Sequence, residues 1–285
     1  MHLSLVAVNA APNLIGPFLR SRRERIRPEM VGLPVFGRRR VPGLRREEVA
    51  LLAGISADYY LRLEQGRDTS PSALVLDALA RALQLDEDET AYLRGLGESG
   101  KRPRRPRAAP ERVSPGIASL IASWSLTPAF VHGRYLDVLA RNGLAAALFP
   151  CCRPGANLVE LTFLDPSVPE LFGDWESSTA AAVAWLRAVA GADVDEPRLI
   201  ELVGSLSVRS ERFRELWARH DVRPKQSHEL RVEHPQVGAL RLRLELLGVG
   251  GHGGSQSLIA YHAEPGSESA QKLELLAALA APSPA

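Results

Sequence analysis

Cysteine is scarce in this sequence. Its 285 residues include two cysteines, Cys151 and Cys152, and the two are adjacent. Adjacent cysteines rarely bond to each other, and two such ligands alone cannot complete a metal site. We therefore predict a chain without a disulfide framework, which favours a reducing, cytoplasmic location.

Long apolar runs are also absent. No run approaches the roughly 20 residues that a membrane-spanning helix needs. The apolar run at residues 3–8 is short, and no Lys or Arg precedes it, so a signal peptide is not expected. We interpret residues 1–12 as a loose extension, or as the result of a start codon placed too early, and we predict no membrane span.

Recognisable catalytic and metal-binding motifs are missing as well. Residues 248–253 match G-x-G-x-x-G, but a strand is predicted after them, so a glycine-rich hairpin loop is the better interpretation. No Walker lysine is present. We predict no enzymatic activity, no metal and no cofactor. The histidines lack the i, i+4 spacing of a zinc-binding helix and have no obvious nucleophile as a partner. We therefore interpret them as structural. These histidines are His220, His228, His234 and His262.

The overall composition is that of an ordinary globular protein, with 45% hydrophobic and 24% charged residues. A length of 285 residues favours two domains. Residues 1–112 contain 20 Lys and Arg against 14 Asp and Glu, whereas residues 113–285 contain 15 against 19. A basic first half favours a polyanionic partner, although two unrelated solvated surfaces would give the same difference.

Residues 44–66 have the pattern of a helix-turn-helix. A helix is predicted over residues 45–53, with its apolar residues on one face. Gly54 can adopt the positive φ that ends this helix, and Ser56 can N-cap the next one. Such a unit is typical of proteins that read the major groove of DNA, although an ordinary αα-hairpin has the same elements.

The second helix of this unit has two distinct faces. Tyr60 and Leu63 are expected to point inward, because they are three residues apart. Arg62 could pair bidentately with guanine, and Ala57 could touch a thymine methyl group. The residues predicted to contact DNA from this helix and its cap are Ser56, Ala57, Asp58, Tyr59 and Arg62.

Arginine is dense just before this unit. Between Arg20 and Arg46 there are ten arginines and only two acids. A solvated helix face is the usual reason for such charge, but the density favours contact with DNA phosphates. The arginines predicted to make those contacts are Arg22, Arg23, Arg38, Arg39, Arg40 and Arg46.

The remaining N-terminal residues complete an all-α domain of five helices over residues 13–96. Helices are predicted over residues 14–26, 72–83 and 86–96, in addition to the two of the helix-turn-helix. Residues 97–112 lack apolar periodicity and are rich in Pro and Arg, so they are predicted to form a linker.

Residues 113–281 are predicted to contain strands as well as helices, unlike the all-α first domain. Two short strands are predicted around residues 129–131 and 136–140, followed by several helices. Three strands over residues 227–233, 239–246 and 257–261 precede a closing helix over residues 269–280. This order predicts an α+β domain with an antiparallel sheet.

Taken together, these motifs resemble a known family. The run RRRVPGLRREEVALLAGISADYYLRLEQGRDTSPS, followed by LDALARALQLDEDE, resembles XRE-type helix-turn-helix transcription regulators and, more narrowly, MmyB-like regulators. The later runs LTFLDP, LWARHDV and YHAEPGS also match that family, so the resemblance covers residues 14–279. It implies an N-terminal domain that binds double-stranded DNA and a C-terminal PAS-like α+β domain that binds a small apolar, fatty-acid-like ligand.

The resemblance implies a ligand pocket in the second domain, although aromatic residues there could equally fill a core. A buried carboxylate would need a cation, and Arg141, Arg209 and Arg219 stand at the ends of predicted elements. Arg209 is preferred, because it precedes a helix that Ser210 is predicted to cap. The candidate ligand-binding residues are Phe130, Phe149, Phe163, Phe172, Trp175, Arg209 and Trp217.

Two features depart from the family pattern. Related sequences often have a Trp before the Asn that ends the second strand, but here Arg141 precedes Asn142. The Cys151-Cys152 pair is also unusual.

The favoured hypothesis is a ligand-responsive transcription regulator that binds a two-fold DNA site as a homodimer. In the alternative, the second domain only dimerises or recruits a partner protein, and an enzyme with a DNA-binding head is the third possibility.

Overall fold

The computed structural model describes residues 14–34, 39, 41–68, 70–98, 111–191, 196–223, 228–249 and 256–280. These residues form two compact units. The predicted extension at residues 1–12, most of the predicted linker, and the glycine-rich loop at residues 250–253 lie outside the described residues. In the part of the chain that is described, no helix combines the length and apolar character that crossing a membrane requires.

The first unit is a bundle of five α-helices. Its interior is formed by apolar residues from all five, among them Phe18, Val49, Leu63, Leu79 and Leu93. The five predicted helices are thereby confirmed, and the segment after α1 adds a short 3-10 helix at Pro28–Val31. The helices are α1 (Ile15–Arg25), α2 (Arg46–Ala53), α3 (Ala57–Glu64), α4 (Ala73–Ala82) and α5 (Glu87–Glu98).

Side chains fix where several of these helices begin. The hydroxyl of Ser72 accepts a hydrogen bond from the amide of Val75, which satisfies one of the free amides in the first turn of α4. At α5, Asp86 and Glu89 accept hydrogen bonds from each other's backbone amides, at 2.8 and 3.2 Å, and so form a capping box. Because of these caps, the helix starts were predictable from the sequence to within one residue.

The second unit combines helices with a sheet and contains most of α11. The predicted α+β architecture with an antiparallel sheet, following an all-α region, is confirmed. Its helices are α6 (Pro115–Ala122), α7 (Gly143–Leu148), α8 (Leu158–Leu164), α9 (Val168–Leu171), α10 (Trp175–Ala190), α11 (Pro197–Arg209), α12 (Glu211–Ala218) and α13 (Glu268–Ala280). Its strands are β1 (Ala129–His132), β2 (Val138–Arg141), β3 (His228–His234), β4 (Gly238–Val249) and β5 (Gln256–His262).

The five strands form one antiparallel sheet in the order β2-β1-β5-β4-β3. Strand β4 shows why one face is covered and the other is not: Leu240, Leu242 and Leu244 are buried, whereas Arg241 and Arg243 between them are exposed. The second predicted strand begins at Val138 rather than at residue 136, because Leu136 takes a φ of 70° in the preceding turn.

Asn142 joins three elements of this unit. Its side-chain oxygen accepts hydrogen bonds from the amides of Ala129 in β1, at 3.1 Å, and of Ala145 in α7, at 2.9 Å. Its side-chain nitrogen lies within hydrogen-bond distance of three carbonyl oxygens at the end of α6 and in the turn after it, those of Ile121, Trp124 and Thr127. Asn142 is buried, so water cannot take over the hydrogen bonds that its side chain makes to these backbone groups.

We predict that Asn142→Ala lowers the free energy of unfolding by about 3 kcal/mol, because the buried amides that it satisfies lose their acceptor. Urea denaturation followed by circular dichroism measures the change. Gln271→Ala, at an exposed position of α13, is the matched control and should leave stability nearly unchanged. Equal stability of the two variants would contradict the role of Asn142 as a junction.

Candidate nucleic-acid interface and ligand site

The turn between α2 and α3 has the geometry of a helix-turn-helix. Gly54 ends α2 in the left-handed conformation, with φ 67° and ψ 32°, which glycine adopts without steric cost. The amide of Ile55 then donates to the carbonyl of Ala50 at 3.0 Å. Ser56 caps α3 by accepting from the amide of Tyr59 at 3.2 Å, so the second helix leaves the turn in a fixed direction.

The predicted DNA-contacting face of α3 is open to solvent. Tyr60 and Leu63 are fully buried, whereas Ser56, Ala57, Asp58 and Arg62 are exposed and Tyr59 is half-buried.

The exposed charged groups of this face interact with each other. The guanidinium of Arg62 forms an ion pair with Asp58 one turn earlier and lies 5.6 Å from the centre of the Tyr59 ring. These three side chains therefore form one continuous polar and aromatic surface on the outside of the domain.

A buried carboxylate joins the three helices behind this face. Glu64, whose side chain is 2% exposed, accepts hydrogen bonds from Arg23 of α1, at 2.8 and 3.0 Å, and from Arg46 of α2, at 3.0 Å. Burial raises the pKa of Glu64, but the hydrogen bonds from these arginines outweigh it, and the pKa lies below its usual value of 4.5. A Cβ atom at Gly16 would lie 2.4 Å from the backbone oxygen of Glu64, so only glycine lets α1 approach this closely.

The arginines near the helix-turn-helix do not all face outward, which corrects the sequence-based expectation. Arg22 and Arg23 are buried, and Arg22 pairs with Glu89 at 2.8 Å. Both were expected to contact phosphate, but internal acids hold them inside the bundle. Arg39 is also turned inward, because it forms two hydrogen bonds to Glu48.

Other basic residues remain as candidates. Arg46 keeps 45% of its side chain exposed while it pairs with Glu64. Arg45, at the N-cap of α2, is exposed, and sequence reasoning overlooked it, although its position before a helix start was a usable signal. Arg38 and Arg40 lie outside the described residues.

The aromatic residues that were predicted to bind ligand fall into two groups. In the first, the Phe149 ring lies 5.9 Å from Phe130, 5.9 Å from Phe172 and 5.2 Å from Tyr261. Phe130 and Phe149 are each 2% exposed, so they fill the core rather than line an open surface. Tyr261, which was not predicted, completes this group.

The second group lies between α8, α10 and α12. Phe213 is fully buried and contacts the rings of Phe163, at 5.3 Å, and Trp217, at 5.7 Å. The buried Arg187 packs over Trp217, 3.9 Å from the ring centre. Phe213 and Arg187 were both missed, because only the packing of α10 on α12 brings them to the predicted aromatics.

Trp175, at the start of α10, contacts α12 through the guanidinium of Arg212. Arg212 lies 5.4 Å from the Trp175 ring centre and donates to the hydroxyl of Thr179 at 3.0 Å. Arg209, the predicted carboxylate partner, is exposed at the end of α11. Arg141 is occupied elsewhere, since its guanidinium donates to backbone carbonyls of the turn after α7.

Comparison with known protein families gives two matches. Residues 14–93 match a helix-turn-helix domain, and residues 113–276 match the MmyB-like transcription regulator ligand binding domain. Both are modules of transcription regulators rather than of enzymes, and the resemblance found in the sequence is confirmed. Among curated proteins, none matches the chain.

We predict that Glu64→Gln lowers the free energy of unfolding by about 3 kcal/mol at neutral pH, because it removes the buried carboxylate that pairs with the buried Arg23 at 2.8 Å. Urea denaturation at pH 7 measures this change. Glu47→Gln, at an exposed position of α2, is the control and should have little effect.

The same pair of variants tests the pH dependence. A carboxylate whose pKa is lower in the folded protein stabilises it above the usual pKa, and this stabilisation is lost as the pH falls through the folded value. The unmodified protein should therefore lose more stability below about pH 4.5 than Glu64→Gln does. Parallel losses in both proteins would show that Glu64 is not the responsible group.

Proposed function

This chain belongs to the MmyB-like transcription regulators, and we propose that its α3 helix reads base edges in the major groove while its second domain binds a fatty-acid-like molecule that controls DNA binding. The observation that carries the DNA part is the capped α3, which turns Ala57, Asp58 and Arg62 to solvent behind a left-handed glycine turn. Helices placed in this way enter the major groove with their first residues toward the bases.

Arg62 is the residue we assign to guanine. Its present partner, Asp58, is 73% exposed, and such surface ion pairs contribute little to stability, so exchanging it for a base costs little. Tyr59 supports the guanidinium from one side. Ala57, at the start of the helix, is placed to touch a thymine methyl group, and Ser56 stands beside it.

Phosphate contacts are assigned to the start of α2. Arg46 is anchored on Glu64 and still presents nearly half of its side chain to solvent, so it can meet a phosphate without a large loss of side-chain entropy. Arg45 stands next to it. One helix-turn-helix reads few bases, and we therefore propose a homodimer on a two-fold operator. We also propose a cytoplasmic location, since a transcription regulator acts where the DNA is, and the two free cysteines support this.

The ligand is assigned to the second aromatic group. Phe163, Trp175 and Trp217 are only half-buried, as expected of rings that line a cavity, and burial of each further CH₂ of an alkyl chain contributes about 0.8 kcal/mol. Phe172 of the first group is half-buried as well. Arg212, in the first turn of α12, lies beside the second group and is better placed than the exposed Arg209 to receive a carboxylate. Ligand would alter DNA binding through unequal affinity for two arrangements of the dimer.

We predict that Arg62→Ala weakens binding to the selected operator by about 1–3 kcal/mol and leaves binding to a scrambled duplex almost unchanged. Fluorescence anisotropy at fixed salt, on an operator obtained by in vitro selection, measures both affinities. Arg94→Ala is the control, because Arg94 pairs with Asp77 away from α3. An equal loss on both duplexes would mean that Arg62 contacts phosphate instead of a base.

We predict that saturated fatty acids raise the melting temperature of the delipidated protein increasingly with chain length. Arg212→Gln should weaken fatty-acid binding about tenfold or more, through loss of a charge-assisted hydrogen bond. It should leave the affinity for the corresponding fatty alcohols unchanged. Arg209→Gln is the matched control. If no chain length stabilises the protein, the second domain does not bind such ligands, and the dimerisation-only alternative is favoured.

A further inference from the structure

The two cysteines form a pair of thiols at a turn. Cys151 and Cys152 follow α7, are both partly exposed, and have sulfur atoms 3.9 Å apart. The turn is closed by hydrogen bonds from the amide of Cys152 to the carbonyl of Phe149, at 3.0 Å, and from the amide of Arg153 to the carbonyl of Cys151, at 2.9 Å. Neither the DNA-binding face nor the second aromatic group uses these thiols.

A side chain from the sheet holds this turn in place. The guanidinium of Arg141, at the end of β2, donates to the carbonyl oxygens of Phe149, Pro150 and Cys152 at 3.2, 3.3 and 3.0 Å. Three carbonyls on one cation leave the backbone of the turn little freedom. The two thiols are therefore held side by side before any ligand arrives, which lowers the entropic cost of binding through both.

The geometry of the pair suits a bridging atom better than a disulfide. The peptide bond between the cysteines is trans, which sets their Cα atoms about 3.8 Å apart, below the usual disulfide range of about 4.4–6.8 Å. Two sulfurs bonded to one atom at about 2.3 Å, the length of a zinc–thiolate bond, lie roughly 3.4–3.8 Å apart for bond angles of about 95–109°. The observed 3.9 Å separation is close to this value.

The number of further ligands near the two thiols determines which kind of atom they can bind together. Among the described residues, no group of three His, Cys, Asp or Glu side chains is arranged to hold a metal ion, so an ion that needs four ligands would remain half-coordinated. Trivalent arsenic that carries one organic substituent needs only two thiolates. We propose that Cys151 and Cys152 form a chelating site for monosubstituted trivalent arsenicals.

The reaction is a simple exchange of ligands on arsenic. With an arsine oxide, R–As=O, the two S–H bonds break and two As–S bonds form. The oxide oxygen takes both protons and leaves as water, while arsenic remains trivalent and no electron is transferred.

Occupation of the site reaches the protein core. The turn begins at Phe149, whose ring packs on Phe172 and Tyr261. An arsenic bridge between Cys151 and Cys152 restricts this turn further. The adduct should therefore raise the melting temperature of the protein.

The test uses the full chain, kept reduced with a phosphine, and phenylarsine oxide as the probe. Intact-mass spectrometry should show one adduct for each chain, with the mass of the reagent less one water. Titration of the denatured adduct with a thiol reagent should find neither cysteine free. An unmodified mass, or two free thiols in the treated protein, would overturn the proposal, and so would a loss of two hydrogens that indicates a disulfide.

Cys151→Ser and Cys152→Ser are matched controls, because each keeps one of the two cysteines of the chain. Each should bind the probe about a hundredfold or more weakly than the unmodified protein, since the second bond is then lost. Glutathione, a monothiol, should remove the probe from both variants but not from the unmodified protein. Retention of the probe by either variant in glutathione would contradict chelation. The thiol titration of the unmodified protein remains decisive if Cys152→Ser does not fold.

Discussion

A charged carboxylate that is buried must be surrounded by donors, and this requirement organises the DNA-binding domain. Glu64 ends α3, Arg23 lies on α1 and Arg46 begins α2, so one carboxylate fixes three helices relative to each other. The outward face of α3 then has a defined direction without any contact of its own. The exposed side chains of α3 thus obtain their orientation from a polar junction beneath them.

The second domain meets the same requirement with a neutral group. Asn142 offers both donors and acceptors and joins the end of α6, β1 and the start of α7. It accepts from amides and donates to carbonyls at this junction, so that both kinds of backbone group gain a partner there. An amide suits this position because it satisfies both kinds of backbone group, whereas a carboxylate would satisfy only the donors.

Local patterns made much of this structure predictable. Caps such as Ser56, glycine at position 54 and the alternation in β4 are read from neighbouring residues, and the order of elements followed from them. The arginines were misjudged for a physical reason: charge density says nothing about which cations find an internal acid, and Arg22 and Arg23 do so across many residues of sequence. The grouping of the aromatics also depends on packing between distant helices, as Arg187 over Trp217 shows.

The Asp58 carboxylate on the face of α3 has a consequence for how the regulator searches a genome. DNA phosphates attract basic proteins whatever the base sequence. A regulator that binds the phosphates strongly is therefore slow to leave sites other than its operator. An acid on the face that is proposed to read bases repels phosphates, and the inward-facing Arg22, Arg23 and Arg39 withhold three positive charges from that face. In the proposed binding mode, this arrangement lowers the general affinity for the DNA backbone, so the ratio between the true site and the many competing sites depends on base contacts.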